Sequence, residues 1–202
     1  MLKATALHCK RGGRLLFQDL NLSIQGQDLI RVSGANGSGK TSLLRILCGL
    51  LTPDAGEVRW KGTAIGALRE EYTRELVYLG HAPAVKDDLT AAENLNYASV
   101  VSGLGVSRER IPFALEKFGV SGDSLIKKLS QGQRRRAALA RLTLSGSVPL
   151  WLLDEPFAAL DATAAGLVEE LIRAHAAGGG AVVFTTHQDT QVAATRTVEL
   201  HG

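Results

Sequence analysis

The run Gly34-Ala35-Asn36-Gly37-Ser38-Gly39-Lys40-Thr41, followed by Ser42, combines closely spaced glycines with one lysine and several hydroxyls. Glycines let backbone N–H groups approach an anion with no side chain in the way, and this spacing matches a loop that cradles the α- and β-phosphates of a nucleotide. Lys40 would reach the β- and γ-phosphates, and the Thr41 hydroxyl would face a magnesium ion. A second run, Leu150-Trp151-Leu152-Leu153, ends in two adjacent carboxylates, Asp154 and Glu155. Asp154 suits the magnesium hydration shell, and Glu155, on the other side, suits proton abstraction from an attacking water. A third, Leu129-Ser130-Gln131-Gly132-Gln133, precedes a segment carrying Arg134, Arg135, Arg136 and Arg141. Ser130 as a helix cap, the Gly132 backbone and a helix N-terminus together make a second anion site. Read singly, each has a plainer alternative: a glycine turn, a solvated strand end, and a capped helix whose arginines form a solvated face.

These groups must be positioned by particular elements. Alternating apolar residues Leu20, Leu22 and Ile24, then Leu29, Ile30 and Val32, predict strands broken by a turn at Gly26. Leu43, Leu44, Leu47 and Leu51 fall at helical spacing, with the helix ending near Gly49 and Pro53. A strand therefore feeds the glycine loop, and a helix leaves it with its positive dipole end toward the phosphates. Residues 54–62 read as a hairpin and Leu76 to Leu79 as a buried strand, after which the polar Lys86 to Asp88 marks departure from the sheet. Thr90 with Glu93 forms a capping box, and Ile111, Leu115 and Phe118 mark a second helix with Pro112 in its first turn. A helix starts near Ser130, an apolar strand covers Pro149 to Leu153, a helix carries Leu167, Val168, Leu171 and Ile172, and a strand covers Ala181 to Thr185. Alternating strands and helices imply an α/β fold with a parallel sheet, interrupted by an all-helical insertion.

The 202 residues, of which 45% are hydrophobic and 21% charged, suffice for one globular domain. Twenty-three basic against twenty acidic residues leave a net +3 with no basic tail, so charge does not call for nucleic acid. Cys9 and Cys48 have neither metal-ligand nor disulfide-framework spacing, which points to a reducing compartment. The sequence has no run near the roughly 20 apolar residues that cross a bilayer, and its first residues are too polar for a signal peptide. A membrane role is expected to come through partners.

Taken in order, the phosphate loop, LSQGQ, LLDE, Ala159-Leu160-Asp161 and Thr186-His187 closely resemble the nucleotide-binding subunits of ABC transporters, over roughly Leu15 to Gln188. The resemblance implies a P-loop NTPase of the ABC type: a single domain over residues 1–202, with an N-terminal antiparallel β subdomain, a RecA-like core from 1–85 and 130–202, and a helical subdomain at 86–129. It implies ATP and Mg2+ as cofactors and a homodimer with ATP sandwiched between the phosphate loop of one subunit and Ser130, Gly132 and Gln133 of the other. It gives Glu155 the role of general base, His187 that of γ-phosphate sensor, and Asp161 that of a link across the dimer. A P-loop kinase would need neither LSQGQ nor His187, and a nucleotide-holding module would be expected to lack Glu155 or His187. DNA-repair relatives need coiled-coil insertions and translation factors two such domains, leaving the iron–sulfur assembly ATPase as the soluble alternative.

Departures from the family pattern are specific. Gly80-His81 stands where a glutamine is usual, so His81 is a candidate cofactor contact of a different kind. The N-terminal aromatic that stacks on adenine is absent: Arg11 sits near that place and Phe17 is the nearest aromatic, leaving either to pack on the base. Gln131 replaces a glycine. The opening Leu7 to Gly12, the segments Leu79 to Pro83 and Leu89 to Leu95, and Thr185 to Gln188 resemble the ATPase subunits of the heme exporter of bacterial cytochrome c maturation. That resemblance implies integral-membrane permease partners and a peripheral place on the cytoplasmic face of the inner membrane, with hydrolysis releasing a heme-loaded chaperone. His8, Cys9, His175 and His201 have no partners that would make them heme ligands.

Overall fold

The computed structural model describes residues 1–201, which form two sheets flanked by helices. The elements in chain order are β1 (Leu2–Arg11), β2 (Arg14–Ile24), β3 (Leu29–Gly34), α1 (Lys40–Leu47), β4 (Ala55–Trp60), β5 (Thr63–Ala64), α2 (Ile65–Leu68), α3 (Glu70–Arg74) and β6 (Leu76–Leu79). Then follow α4 (Ala91–Val101), α5 (Arg110–Lys117), α6 (Gln131–Leu139), β7 (Leu150–Leu153), α7 (Ala162–Ala177), β8 (Ala181–Thr185) and β9 (Arg196–Leu200), with short 3-10 turns at Ile126–Lys128 and Ala140–Leu144.

One sheet is antiparallel in the order β2-β1-β4-β5, and the other is parallel in the order β6-β7-β8-β3-β9. Central strands of a parallel sheet are covered on both faces and so read as continuous apolar runs, as β7 and β8 do. Successive side chains point to opposite faces. Leu150 and Leu152 therefore join the core around α1 and the antiparallel sheet, while Trp151 and Leu153 join the core around α4, α5, α6 and α7.

The α1 helix ends where expected, with Gly49 at φ 78 closing onto the Ile46 carbonyl. The Thr90–Glu93 capping box forms in full, and β4 with β5 makes a hairpin whose second strand lies just past the expected end at residue 62. Two strands lay outside the sequence expectation. In β1 the alternation Leu2, Ala4 slips phase at Ala6, which sits at φ 47 in an irregularity of the pairing, so the buried residues resume at Leu7 and Cys9. In β9, an edge strand of largely exposed residues, there is little apolar signal to read.

Candidate functional site

Ligands of open α/β sheets bind beyond the C-terminal ends of the strands. Here the ends of β3, β6, β7 and β8 converge on a cleft of about 460 Å³ lined by Arg11, Leu16, Asn36, Gly37, Gly39, Lys40, Thr41, Ser42, His81, Asp154, Glu155 and His187.

The loop between β3 and α1 owes its path to glycine at two positions above all. Gly34 has φ 140, and a Cβ there would come within 2.6 Å of the Leu200 carbonyl. Gly39 has φ 102, and a Cβ there would press on Leu16 and Phe17 at 3.0–3.2 Å. No side chain caps the N-terminus of α1, so its first N–H groups and dipole face the cleft. Lys40, 8% exposed, donates from Nζ to the carbonyls of Gly34 (2.8 Å) and Ala35 (3.0 Å), which leaves one of its three donors for an anion. Ser38 is buried beneath the loop with its hydroxyl unpartnered, so its side chain does not line the cleft.

Asp154, at the end of β7, is 1% exposed and fully engaged. Its Oδ2 accepts from Thr41 Oγ1 at 2.8 Å and its Oδ1 from Thr185 Oγ1 at 2.9 Å. The Thr185 hydroxyl also accepts from the Glu155 backbone N–H at 2.8 Å, so one buried side chain fixes both acidic residues. Glu155 is held at φ 51, a left-handed conformation unusual for a residue with a Cβ. Its Oε2 accepts from the His187 backbone N–H at 3.2 Å. Its Oε1 is buried without a partner, 3.5 Å from His187 Nε2. The pair offers an unengaged carboxylate oxygen beside an exposed imidazole, a geometry suited to taking a proton from a water. The Thr41 hydroxyl and the Asp154 carboxylate are hard oxygen donors already in contact, and such a set fits a magnesium ion that keeps most of its ligands as water and phosphate.

His81 lines this cleft from just beyond β6, and Arg11 lines it from the end of β1. Phe17 is 6% exposed and packs in the core behind Gly39, so it is removed as a base-stacking candidate: its place on β2 faces the interior. Ser130, Gly132 and Gln133 do not line the cleft. They form the N-terminus of α6, where the Ser130 hydroxyl accepts from Gln133 N at 3.2 Å and Gln133 Oε1 accepts from Ser130 N at 2.9 Å. The sequence marked Ser130 as the cap; the reciprocal use of Gln133 follows from the capping-box spacing.

The arginines of α6 and of the 3-10 turn after it, which holds Arg141, are not a solvated face. Arg134 donates to Asp87, Arg136 to Asp161, and Arg141 to Ser102. Arg135 is 4% exposed and reaches the carbonyls beyond β6 and β7. Burial pulls its guanidinium below the usual range, opposed by the charges of Asp154 and Glu155. Asp161, besides Arg136, caps α7 by accepting from Ala164 N at 2.8 Å. Thr185 and Arg135 are the site residues that the sequence reading missed. A hydroxyl ending the apolar run of β8 was the available signal for Thr185; three consecutive arginines gave none for Arg135.

Of the residues singled out against heme ligation, Cys9 is buried, His8 is half-buried, His201 is exposed, and His175 stacks on Trp151 with ring centroids 3.9 Å apart. Among the described residues there is no cluster of three or more His, Cys, Asp or Glu able to hold a metal, and no helix long and apolar enough to cross a membrane.

Residues 17–158 match the family model described as ABC transporter. The chain is 49% identical over 194 residues to the cytochrome c biogenesis ATP-binding export protein CcmA of Nitrosospira multiformis, covering 95% of this chain and 94% of the relative. It is 49% identical over 200 residues to the protein of the same description from Aromatoleum aromaticum, covering 98% and 94%. Among solved structures it is similar to a dimeric ATP-binding cassette in a post-hydrolysis state bound to ADP and Pi, with a TM-score of 0.86, 25% identity and coverage of 99% and 94%.

Proposed function

Because the chain belongs to the cytochrome c biogenesis ATP-binding export proteins of the ABC transporter family, we propose that it hydrolyses ATP in the Lys40–Glu155 cleft to power the heme exporter of bacterial cytochrome c maturation. The observation that carries the hydrolytic reading is the Glu155 carboxylate, with Oε2 held by the His187 N–H and Oε1 unpartnered 3.5 Å from His187 Nε2. In this reading Glu155 takes the proton of the attacking water and the exposed His187 ring contacts the γ-phosphate. Lys40 and the uncapped N-terminus of α1 bind the phosphates, with Asn36, Gly37, Ser42 and the loop backbone of Ala35 and Ser38 around them. Thr41 and Asp154 would hold a magnesium ion, which would supply charge neutralisation to the phosphates. Arg11 and Leu16 are left for the base, the guanidinium stacking on it. His81 contributes a ring to the cleft where the family usually places an amide.

A second copy of the chain completes the site by bringing its Ser130, Gly132 and Gln133 onto the nucleotide. The permease docks at a largely apolar groove of about 470 Å³ that includes Leu50, Tyr78, Val85, Leu95 and Ala98 and shares His81 with the cleft. Leu50 is exposed within it, which suits burial by an apolar partner segment. The chain then sits on the cytoplasmic face of the inner membrane without entering it, and hydrolysis releases the heme-loaded chaperone.

The test is affinity capture of Glu155→Gln from bacterial membranes with ATP, with identification of the co-purifying chains and a heme absorbance scan. Recovery of cytochrome c maturation membrane subunits is expected. Recovery of a soluble iron–sulfur scaffold, or of an unrelated permease, would overturn the pathway while leaving the ATPase chemistry standing.

A further inference from the structure

Arg135 lies in the fifth position of α6, and its guanidinium is almost wholly removed from solvent. Its Nη1 donates to the carbonyls of Gly80 (2.8 Å) and His81 (3.1 Å), just beyond β6. Its Nη2 donates to the carbonyls of Asp154 (3.0 Å) and Glu155 (2.8 Å), just beyond the neighbouring strand β7. None of these partners is a carboxylate, and Nε has no partner at all. A buried cation bonded to four carbonyls, with the Asp154 and Glu155 charges offsetting only part of its burial, is an expensive arrangement if its purpose were only to attach a helix.

What the four bonds achieve is geometric. Carbonyls at the ends of parallel strands have lost their ladder partners, and here they belong to the peptides that carry His81 and Glu155 into the cleft. Glu155 needs a restraint of this kind, because it stands at φ 51. Its N–H is tied to Thr185 and its carbonyl to Arg135, so both ends of the residue are fixed. A planar fork with donors on two nitrogens can bridge two strands; a lysine ammonium is a single point and cannot reproduce that span.

Resting on the hydrolytic reading above, we propose that Arg135 is a positioning residue for hydrolysis, setting the places of the Glu155 carboxylate and the His81 ring in its own subunit's cleft. It does not line the nucleotide cleft. Its removal is therefore expected to lower kcat and leave the KM for ATP nearly unchanged.

A mixed dimer separates this role from simple support of α6. One subunit carries Ser130→Arg and keeps its Lys40 cleft; the other carries Lys40→Ala and lends its α6 N-terminus, so one composite site works. Arg135→Lys placed in the subunit with the working cleft is expected to cut turnover tenfold or more, in line with the roughly hundredfold cost of an ångström of misplacement. The same change in the subunit lending α6 is expected to cost less than about threefold. Equal losses in both placements, a loss only in the lending subunit, or no loss in either would overturn the proposal. If the mixed dimer is inactive with Arg135 intact, the sandwich reading fails instead. The homodimeric Arg135→Lys protein then decides: folded by its melting transition, it must bind ATP with parental affinity and turn it over tenfold or more slowly, and parental turnover would refute the role.

Discussion

The Thr41 hydroxyl donates to the Asp154 carboxylate across 2.8 Å, joining the start of α1 to the end of β7 over 113 positions of sequence. This contact brings the phosphate loop and the acidic strand end to one place, and it defines where a magnesium ion would share its oxygen ligands. Thr41→Val keeps the shape and removes the hydroxyl. It is expected to raise the magnesium concentration needed for half-maximal turnover by about tenfold, one good hydrogen-bond or ligand contribution of roughly 1.4 kcal/mol. An unchanged magnesium titration would remove Thr41 from the metal site.

Thr185 is fully buried, donates to Asp154 and accepts from the Glu155 N–H. Thr185→Val leaves that buried N–H without an acceptor and frees the Asp154 Oδ1. A loss of about 1–3 kcal/mol in stability is expected, measured by chemical denaturation, together with a fall in kcat. Parental stability and rate in this variant would contradict the bridging role.

His175 stacks 5° from parallel on Trp151, and the Gly146 backbone beside its ring opposes the effect of burial only in part. Burial pushes its pKa from 6.5 down to about 4. The unfolded chain therefore takes up a proton near pH 6.5 that the folded chain refuses until about pH 4, so this contribution to stability is present above pH 6.5 and is lost as pH falls toward 4. His175→Phe is expected to flatten that slope. Melting temperatures of parent and variant at pH 7 and pH 5 test it, and parallel declines would show that His175 is not the source.

Arg11 faces the cleft from the end of β1, with its guanidinium donating to the Lys10 carbonyl at 2.8 Å. If it stacks on the base, Arg11→Ala should raise the KM for ATP about fivefold with kcat unchanged, matching a stacking contribution of roughly 1 kcal/mol. A fall in kcat at constant KM would place Arg11 in the chemistry instead.

Much of this architecture is written in local pattern. The glycine run, the change from strand to helical spacing around it, the apolar strand ending in Asp154-Glu155, the Thr90–Glu93 capping box and the Ser130 cap are short-range features, and each forms as the residues suggest. What the pattern hid depends on tertiary structure. The β1 alternation is broken by the irregularity at Ala6, and β9 is an edge strand with little to bury. Phe17 could be removed from the cleft only once β2 had turned it inward. Arg135 reads like its neighbours Arg134 and Arg136, because only the docking of α6 against β6 and β7 sends one of the three into the interior. Thr185 needed β8 to lie beside β7 before its hydroxyl could meet Asp154.

The most direct test of the hydrolytic account is a single-turnover experiment with ATP labelled on the γ-phosphate, comparing the parent with Glu155→Gln at equal nucleotide occupancy. Glu155→Gln keeps the shape and the contact with the His187 N–H but cannot accept the water's proton. Parental ATP affinity with phosphate release slowed about a hundredfold or more is the expected result. Release at the parental rate would contradict the assignment of Glu155 as the base.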